Sequence, residues 1–263
     1  MEEKKKFKLV SSKKTRYLLP NILTLAGVCL GISSIKFAID GNFSLSVTLI
    51  LIAAILDALD GRVARLIKGT SEFGKELDSL TDFVSFGIAP VFILYFWELN
   101  NYGKLGWAIT LIYSVCCVLR LARFNLTKIE ETAQWKNNFF EGVPSPAGGI
   151  LILMPLIYEL TNLNIGLNLK EITPYLTILI AILLVSKIPT LALKKISIPP
   201  KATVFLLLGI GIVFIALLFY TLETLLIFGI IYLISIPVGI IIYNNQNKKN
   251  IEKISDENHE DIL

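Results

Sequence analysis

Apolar runs of roughly the 20 residues needed to cross a bilayer follow one another along almost the whole chain, each closed by a short polar interval. They predict eight spans, at residues 18–39, 43–67, 76–98, 104–125, 146–161, 172–193, 203–220 and 223–243, the fifth being short. The expected fold is all-α, a polytopic helical membrane protein. KKKFKLVSSKKTR precedes the first run in the manner of a secretory signal. That run is long for a signal core and has no small-residue cleavage site, so it reads as a span. An even number of spans puts both termini on one side, and every Lys and Arg except Lys36, Lys104 and Lys170 then falls on that side. The bias of positive charge toward the cytoplasm makes it the cytoplasmic side, so the chain is expected to be integral to the cytoplasmic membrane.

Composition supports this reading. At 54% hydrophobic and 17% charged residues, with a mean hydropathy of +0.67, the chain lacks the polar residues to cover a water-soluble surface. The net charge of +4 says less than where the charges lie. Juxtamembrane basic runs bind anionic lipid headgroups, so membrane lipids are the expected partners of both termini, and no nucleic-acid partner is expected. Cys29, Cys116 and Cys117 lie inside apolar runs and read as packing residues rather than a disulfide or metal framework. The one histidine, His259, is in the polar tail, so acid–base chemistry within the membrane is left to carboxylates, lysines or tyrosines.

One stretch breaks the apolar pattern: DALDGRVARLIKGTSEFGKELDSLTD, Asp57 to Asp82. On a helix, Asp57, Asp60, Gly61, Ala64 and Arg65 form one stripe, and Gly74, Asp78 and Asp82, spaced by four, share a face of the next helix. Two antiparallel helices therefore gather four carboxylates near one end of the membrane. Each carboxylate costs about 2.5–3.5 kcal/mol in the bilayer, so four unpaired ones would approach the roughly 5–15 kcal/mol that holds a domain folded. Arg62, Arg65 and Lys75 cannot supply four short oxygen contacts in one place. Hard divalent cations can, and Mg²⁺ or Mn²⁺ suits such a donor set. Four carboxylates fit two divalent ions clamping a phosphoryl group. Gly61, Gly74 and the small Ala64 leave room for a ligand, and Arg65 offers a planar fork to phosphate oxygens. A salt-bridged cap at the membrane face is the alternative, but it accounts for neither the glycines nor the shared stripe.

With its spacing intact, Asp57-x2-Asp60-Gly61-x2-Ala64-Arg65-x8-Gly74-x3-Asp78-x3-Asp82 resembles the signature of the CDP-alcohol phosphatidyltransferases. The resemblance implies that Asp57, Asp60 and Asp78 bind a metal pair and that Asp82 lies at the metals and serves as general base. It also implies that Arg65 holds the pyrophosphate while Gly61 and Gly74 adjoin the cytidine. LPNILTLAGVCLG, with Pro20, Asn21 and Thr24, is similar to the family's nucleotide-side turn, although proline and polar residues are also ordinary at a helix start. RLARFN at 120–125 and FFEGVPSPAGG at 139–149 resemble the acceptor side of the bacterial and archaeal membrane-embedded phosphatidylserine synthases. This would put Arg120, Arg123, Asn125, Gly142 and Pro144 at the serine or lipid phosphate. Positive-inside anchoring at the end of a span is the alternative account of the two arginines.

The branch resemblance implies transfer of a phosphatidyl group from CDP-diacylglycerol, or from an archaeal CDP-archaeol, to the hydroxyl of L-serine with release of CMP, and a homodimer. Glycerol 3-phosphate or inositol phosphate acceptors would need a further phosphate site, for which only Arg120 and Arg123 are evident. A divalent-cation transporter should carry polar residues through the membrane depth, whereas these carboxylates crowd one end. The expected organisation is a basic juxtamembrane segment (1–17), a transferase core (18–193), a loop with two further spans (194–244) and a polar tail (245–263).

Overall fold

The computed structural model describes residues 18–67, 69, 71–127, 139–161, 166, 168–191 and 203–260. The predicted basic segment 1–17 lies outside the described residues. The chain divides into two units, Met1–Leu121 and Ala122–Leu263.

In the first unit, helices α1 (Leu18–Ile39) and α2 (Phe43–Leu66) form a tight hairpin. Gly41, at φ +77°, makes the reversal, a conformation that costs glycine little. The Gly41 and Asn42 amides return to Ala38 O and Phe37 O at 3.0 and 2.8 Å. The Asn42 side chain then accepts the Leu45 N–H at 3.2 Å and starts α2. Inside the hairpin Ser46 donates to Ser34 O and Ser34 to Gly31 O, both at 2.6 Å.

Ser71 opens α3 (Glu72–Asp82) by accepting the Gly74 N–H at 3.0 Å, with Glu72 favourably placed in the first turn. After Asp82 the helix widens into a π turn, Phe83–Ile88, where the Ala89 N–H reaches back five residues to Val84 O. It continues as α4 (Ala89–Trp97). Against this long element α1 presents Gly27 and Gly31, four apart and so on one face. A Cβ at Gly27 would meet the Thr81 methyl at 3.3 Å, and one at Gly31 would meet Ser85 Oγ and Cα at 2.9 and 3.0 Å. Small residues at this spacing let two membrane helices approach closely. A short 3₁₀ turn, Leu99–Tyr102, leads to α5 (Lys104–Thr127), which crosses the division between the units. Phe86, Ala89, Val91, Ile93, Leu94, Leu99, Tyr113 and Cys117 are fully buried and make the core of the first unit.

The second unit adds β1 (Phe139–Glu141), α6 (Ser145–Ile152), α7 (Met154–Leu160), α8 (Thr173–Val185), β2 (Pro189–Leu191), α9 (Thr203–Phe219) and α10 (Thr221–Glu260). β1 and β2 pair antiparallel, Phe139 opposite Leu191 and Glu141 opposite Pro189. Apart from these two three-residue strands every regular element described is helical, as the apolar pattern predicts.

Among the described residues, five helical stretches are long and apolar enough to cross a membrane: Leu18–Ile39, Phe43–Leu66, Glu72–Trp97, Lys104–Leu126 and Thr221–Asn247. They coincide with five of the eight expected spans. The other three differ in form. The expected span 146–161 is two short helices meeting at Leu153, because Pro155 in the first turn of α7 has no N–H to continue the ladder. The expected span 172–193 stops being helical at Val185. Pro189 biases Ile188 away from helix, and the chain runs extended into β2. The seventh corresponds to α9, 17 residues long, with Phe205, Leu207, Phe214 and Phe219 turned outward as on a lipid-facing helix.

Candidate active site

The α2–α3 turn brings together the two acidic faces that the spacing predicts. Gly69 N–H closes back on Ala64 O at 2.8 Å to end α2, and Ser71 starts α3 directly afterwards. One carboxylate oxygen each from Asp57, Asp60 and Asp78 then lies within 4.8 Å of the others. Asp82, the fourth acid, interacts with Asp57 from beside this group rather than within it. Asp60 is the most enclosed, 4% exposed. Lys75, a candidate counter-charge in the sequence, is occupied instead by Glu72 at 2.5 Å, and Arg62 and Arg65 are exposed. What converges is therefore a compact, all-oxygen, multiply anionic donor set, the chemistry that hard divalent cations favour. The residues present fit the metal requirement inferred from the sequence.

The start of α1 lines the same site. Thr24 is buried and its hydroxyl reaches Asp60 Oδ2 at 2.7 Å and Pro20 O at 3.0 Å. One proton cannot serve both acceptors fully, and the shorter bond goes to the charged one. Thr24 thus contacts a candidate metal ligand, in addition to standing in the segment expected at the nucleotide. Asn21 comes beside Gly74, its Oδ1 only 3.3 Å from where a Cβ at Gly74 would stand. Gly61 faces open space, with Arg65 Nη1 as its nearest neighbour at 3.8 Å from a notional Cβ. Pro20 is buried, and Ala64 takes part in the α2 terminus through its carbonyl. The nucleotide-side residues named from the sequence, Pro20, Asn21, Thr24, Gly61, Ala64, Arg65 and Gly74, are thereby carried by three adjoining helix segments next to the acids.

The arginines of α5 separate in role. Arg120 lies one turn beyond Cys117, and the Cys117 thiol senses the charges of both Arg120 and Asp82. Arg123, in the second unit, donates through Nη1 to Ser186 O at 3.3 Å and through Nη2 to Val185 O. These are terminal carbonyls of α8, and a guanidinium there satisfies them and complements the helix dipole. Asn125 is half-buried on the same helix. Gly142 has φ +73°, and a Cβ on it would lie 2.8–3.0 Å from Leu183 O, Leu184 O and Ser186 O. Its amide donates to Ile188 O at 2.8 Å, and its carbonyl accepts from Thr190 Oγ1 at 2.8 Å. The loop bearing Gly142 and Pro144 is thus clamped to the end of α8, an arrangement that only glycine permits.

Sequence reasoning did not single out Gly27, Gly31, Ser85, Tyr113 or Ser114, although all brace the acid-bearing helix. The small-x3-small pattern GVCLG was the available signal for the two glycines. The hydroxyls, scattered in apolar runs, offered none.

The family model for CDP-alcohol phosphatidyltransferase matches residues 17–183, which include all four aspartates and the first turn of α1. The chain belongs to the CDP-alcohol phosphatidyltransferase family. The resemblance carried by the aspartate signature is borne out. Among related members, the CDP-diacylglycerol–serine O-phosphatidyltransferase of Mycobacterium leprae is 38% identical over 229 residues, 85% of this chain and 74% of the relative. The protein of the same name from Helicobacter pylori is 34% identical over 238 residues, 88% of this chain and 97% of the relative. A third, from the archaeon Methanocaldococcus jannaschii, is 41% identical over 109 residues, 41% of this chain and 48% of the relative.

Proposed function

We propose that this chain is a CDP-diacylglycerol–serine O-phosphatidyltransferase, acting on CDP-diacylglycerol or an ether-linked analogue. The observation that carries the proposal is the convergence of Asp57, Asp60 and Asp78 in a chain similar to transferases of that name over most of its length. Asp57, Asp60 and Asp78, with Asp82 beside them, would hold divalent cations, which when bound would neutralise charge on the pyrophosphate. The chain's own groups do the rest. Arg65 holds phosphate oxygens from the exposed side of α2, while Gly61 and Gly74 leave room for the cytidine next to Asn21. Asp82 accepts the proton of the serine hydroxyl. As that oxygen bonds to the phosphorus bearing the diacylglycerol, the bond from this phosphorus to the CMP oxygen breaks and CMP departs. Catalysis of this kind rests on positioning and on charge stabilisation in a water-poor site.

Arg120 is the better candidate for the serine carboxylate or the lipid phosphate, since Arg123 is engaged at the end of α8. The distribution of Lys and Arg supports a site opening to the cytoplasm, where serine is available. The test is CMP release by the purified chain with CDP-diacylglycerol and Mn²⁺ or Mg²⁺, offering serine, glycerol 3-phosphate, inositol phosphate or water. Release that depends on serine is expected. Equal release with glycerol 3-phosphate would overturn the serine assignment within the family.

A further inference from the structure

The π turn Phe83–Ile88 begins at the residue after Asp82 and is tied to its neighbours by three hydroxyl contacts, one from its own Ser85 and two from α5. Ser85 Oγ donates to Gly27 O at 3.2 Å and Tyr113 Oη to Phe86 O at 3.0 Å, while Ser114 Oγ shares its proton between Thr110 O at 3.0 Å and Gly87 O at 3.3 Å. The Tyr113 bond has a particular cause. Pro90 has no N–H, so the Phe86 carbonyl four residues earlier has lost its normal helical donor. Phe86 and Tyr113 are both fully buried, and water is no substitute there. A buried carbonyl must find a partner, and Tyr113 on α5 provides it. Gly87 allows the approach: a Cβ there would lie 3.0 Å from Cys117 Sγ.

A π turn holds about one residue more than an α turn, so the helix before it is rotated by about 100° relative to a regular continuation. Beyond the turn α4 is fixed by Ala89, Val91, Ile93 and Leu94, all fully buried. Before it come Asp78 and Asp82. With α4 fixed, the width of the turn decides whether those two carboxyls point at Asp57 and Asp60. We infer that Tyr113 is a positioning residue: by holding the Phe86 carbonyl it keeps the turn wide and aims Asp78 and Asp82 into the acid cluster.

The inference rests on the proposed transferase reading for its effect on turnover, but metal binding tests it without turnover. Mn²⁺ affinity by electron paramagnetic resonance, kcat and the melting temperature are measured for the wild-type chain, Tyr113→Phe, and Tyr113→Phe combined with Pro90→Ala. The single substitution removes only the hydroxyl and is expected to weaken Mn²⁺ binding several-fold, lower kcat about tenfold or more, and lower the melting temperature. The second substitution returns a backbone N–H to the Phe86 carbonyl, closing the turn as a regular one. It should restore the melting temperature but not Mn²⁺ affinity or kcat. Should the single variant fail to fold, the double variant carries the test. Wild-type Mn²⁺ affinity in Tyr113→Phe, or recovery of affinity together with stability in the double variant, overturns the inference and leaves Tyr113 as a carbonyl partner only. A wild-type chain that binds Mn²⁺ but releases no CMP with any acceptor would instead count against the transferase reading.

Discussion

At the scale of single residues, the two most informative positions are Asp82 and Thr24. Asparagine at position 82 keeps the size and one oxygen but is a poor proton acceptor. Asp82→Asn should therefore lower kcat by about 10²- to 10⁴-fold, the usual cost of losing a general base, while binding of CDP-diacylglycerol persists and excess Mn²⁺ fails to restore turnover. Metal rescue with lost lipid binding would make Asp82 chiefly a ligand. Thr24 is a different case, because its hydroxyl orients Asp60 at 2.7 Å. Partners of metal ligands usually contribute about 10–100-fold in affinity, so Thr24→Val should raise the Mn²⁺ concentration for half-maximal activity by that order, and Thr24→Ser should not. An unchanged metal requirement in Thr24→Val, with a weaker apparent affinity for the CDP-lipid, would return Thr24 to the nucleotide side alone.

At the scale of elements, what could be read from the sequence depended on whether the controlling contact was local. The aspartate faces were legible because spacings of three and four define a helix face without reference to any partner. The π turn was not, since its Phe86 carbonyl meets the hydroxyl of Tyr113, a residue of another helix. The end of α8 was half legible: Pro189 is a clear reason for helix to stop, yet the apolar run continued through it and suggested a longer span. Arg123 shows the same limit. Its place near the end of an apolar run suggested anchoring or an anionic ligand, whereas its contacts are with Val185 O and Ser186 O, distant in sequence. Arg123→Ala should accordingly destabilise the fold by roughly 0.3–2 kcal/mol, the range for a cation at a helix C-terminus, seen as a lower melting temperature, with the apparent KM for serine little changed in the folded fraction. A selective rise in that KM without loss of stability would assign Arg123 to the acceptor after all.

At the scale of the whole molecule, long apolar helices bring a charged cluster into a membrane protein that has few other polar side chains to solvate it. The close approach of α1 to the acid-bearing helix through Gly27 and Gly31, and the hydroxyls around the π turn, hold these acids together despite their mutual repulsion. Such an arrangement makes physical sense if cations and a pyrophosphate occupy it during the reaction. The class of protein and the family were legible from apolar run lengths and one stretch of 26 residues, because both rest on local pattern. The relation of the loop bearing Gly142 to α8 was not, because it depends on residues 142 and 183–190 meeting across a long stretch of chain. The most direct test of the account is transfer of isotopically labelled L-serine into lipid by the purified full-length chain supplied with CDP-diacylglycerol, with the divalent cation chelated and then restored. Label should enter the lipid fraction only with Mn²⁺ or Mg²⁺ present, in step with CMP release. Incorporation that persists under chelation, or CMP release without labelled lipid, would contradict it.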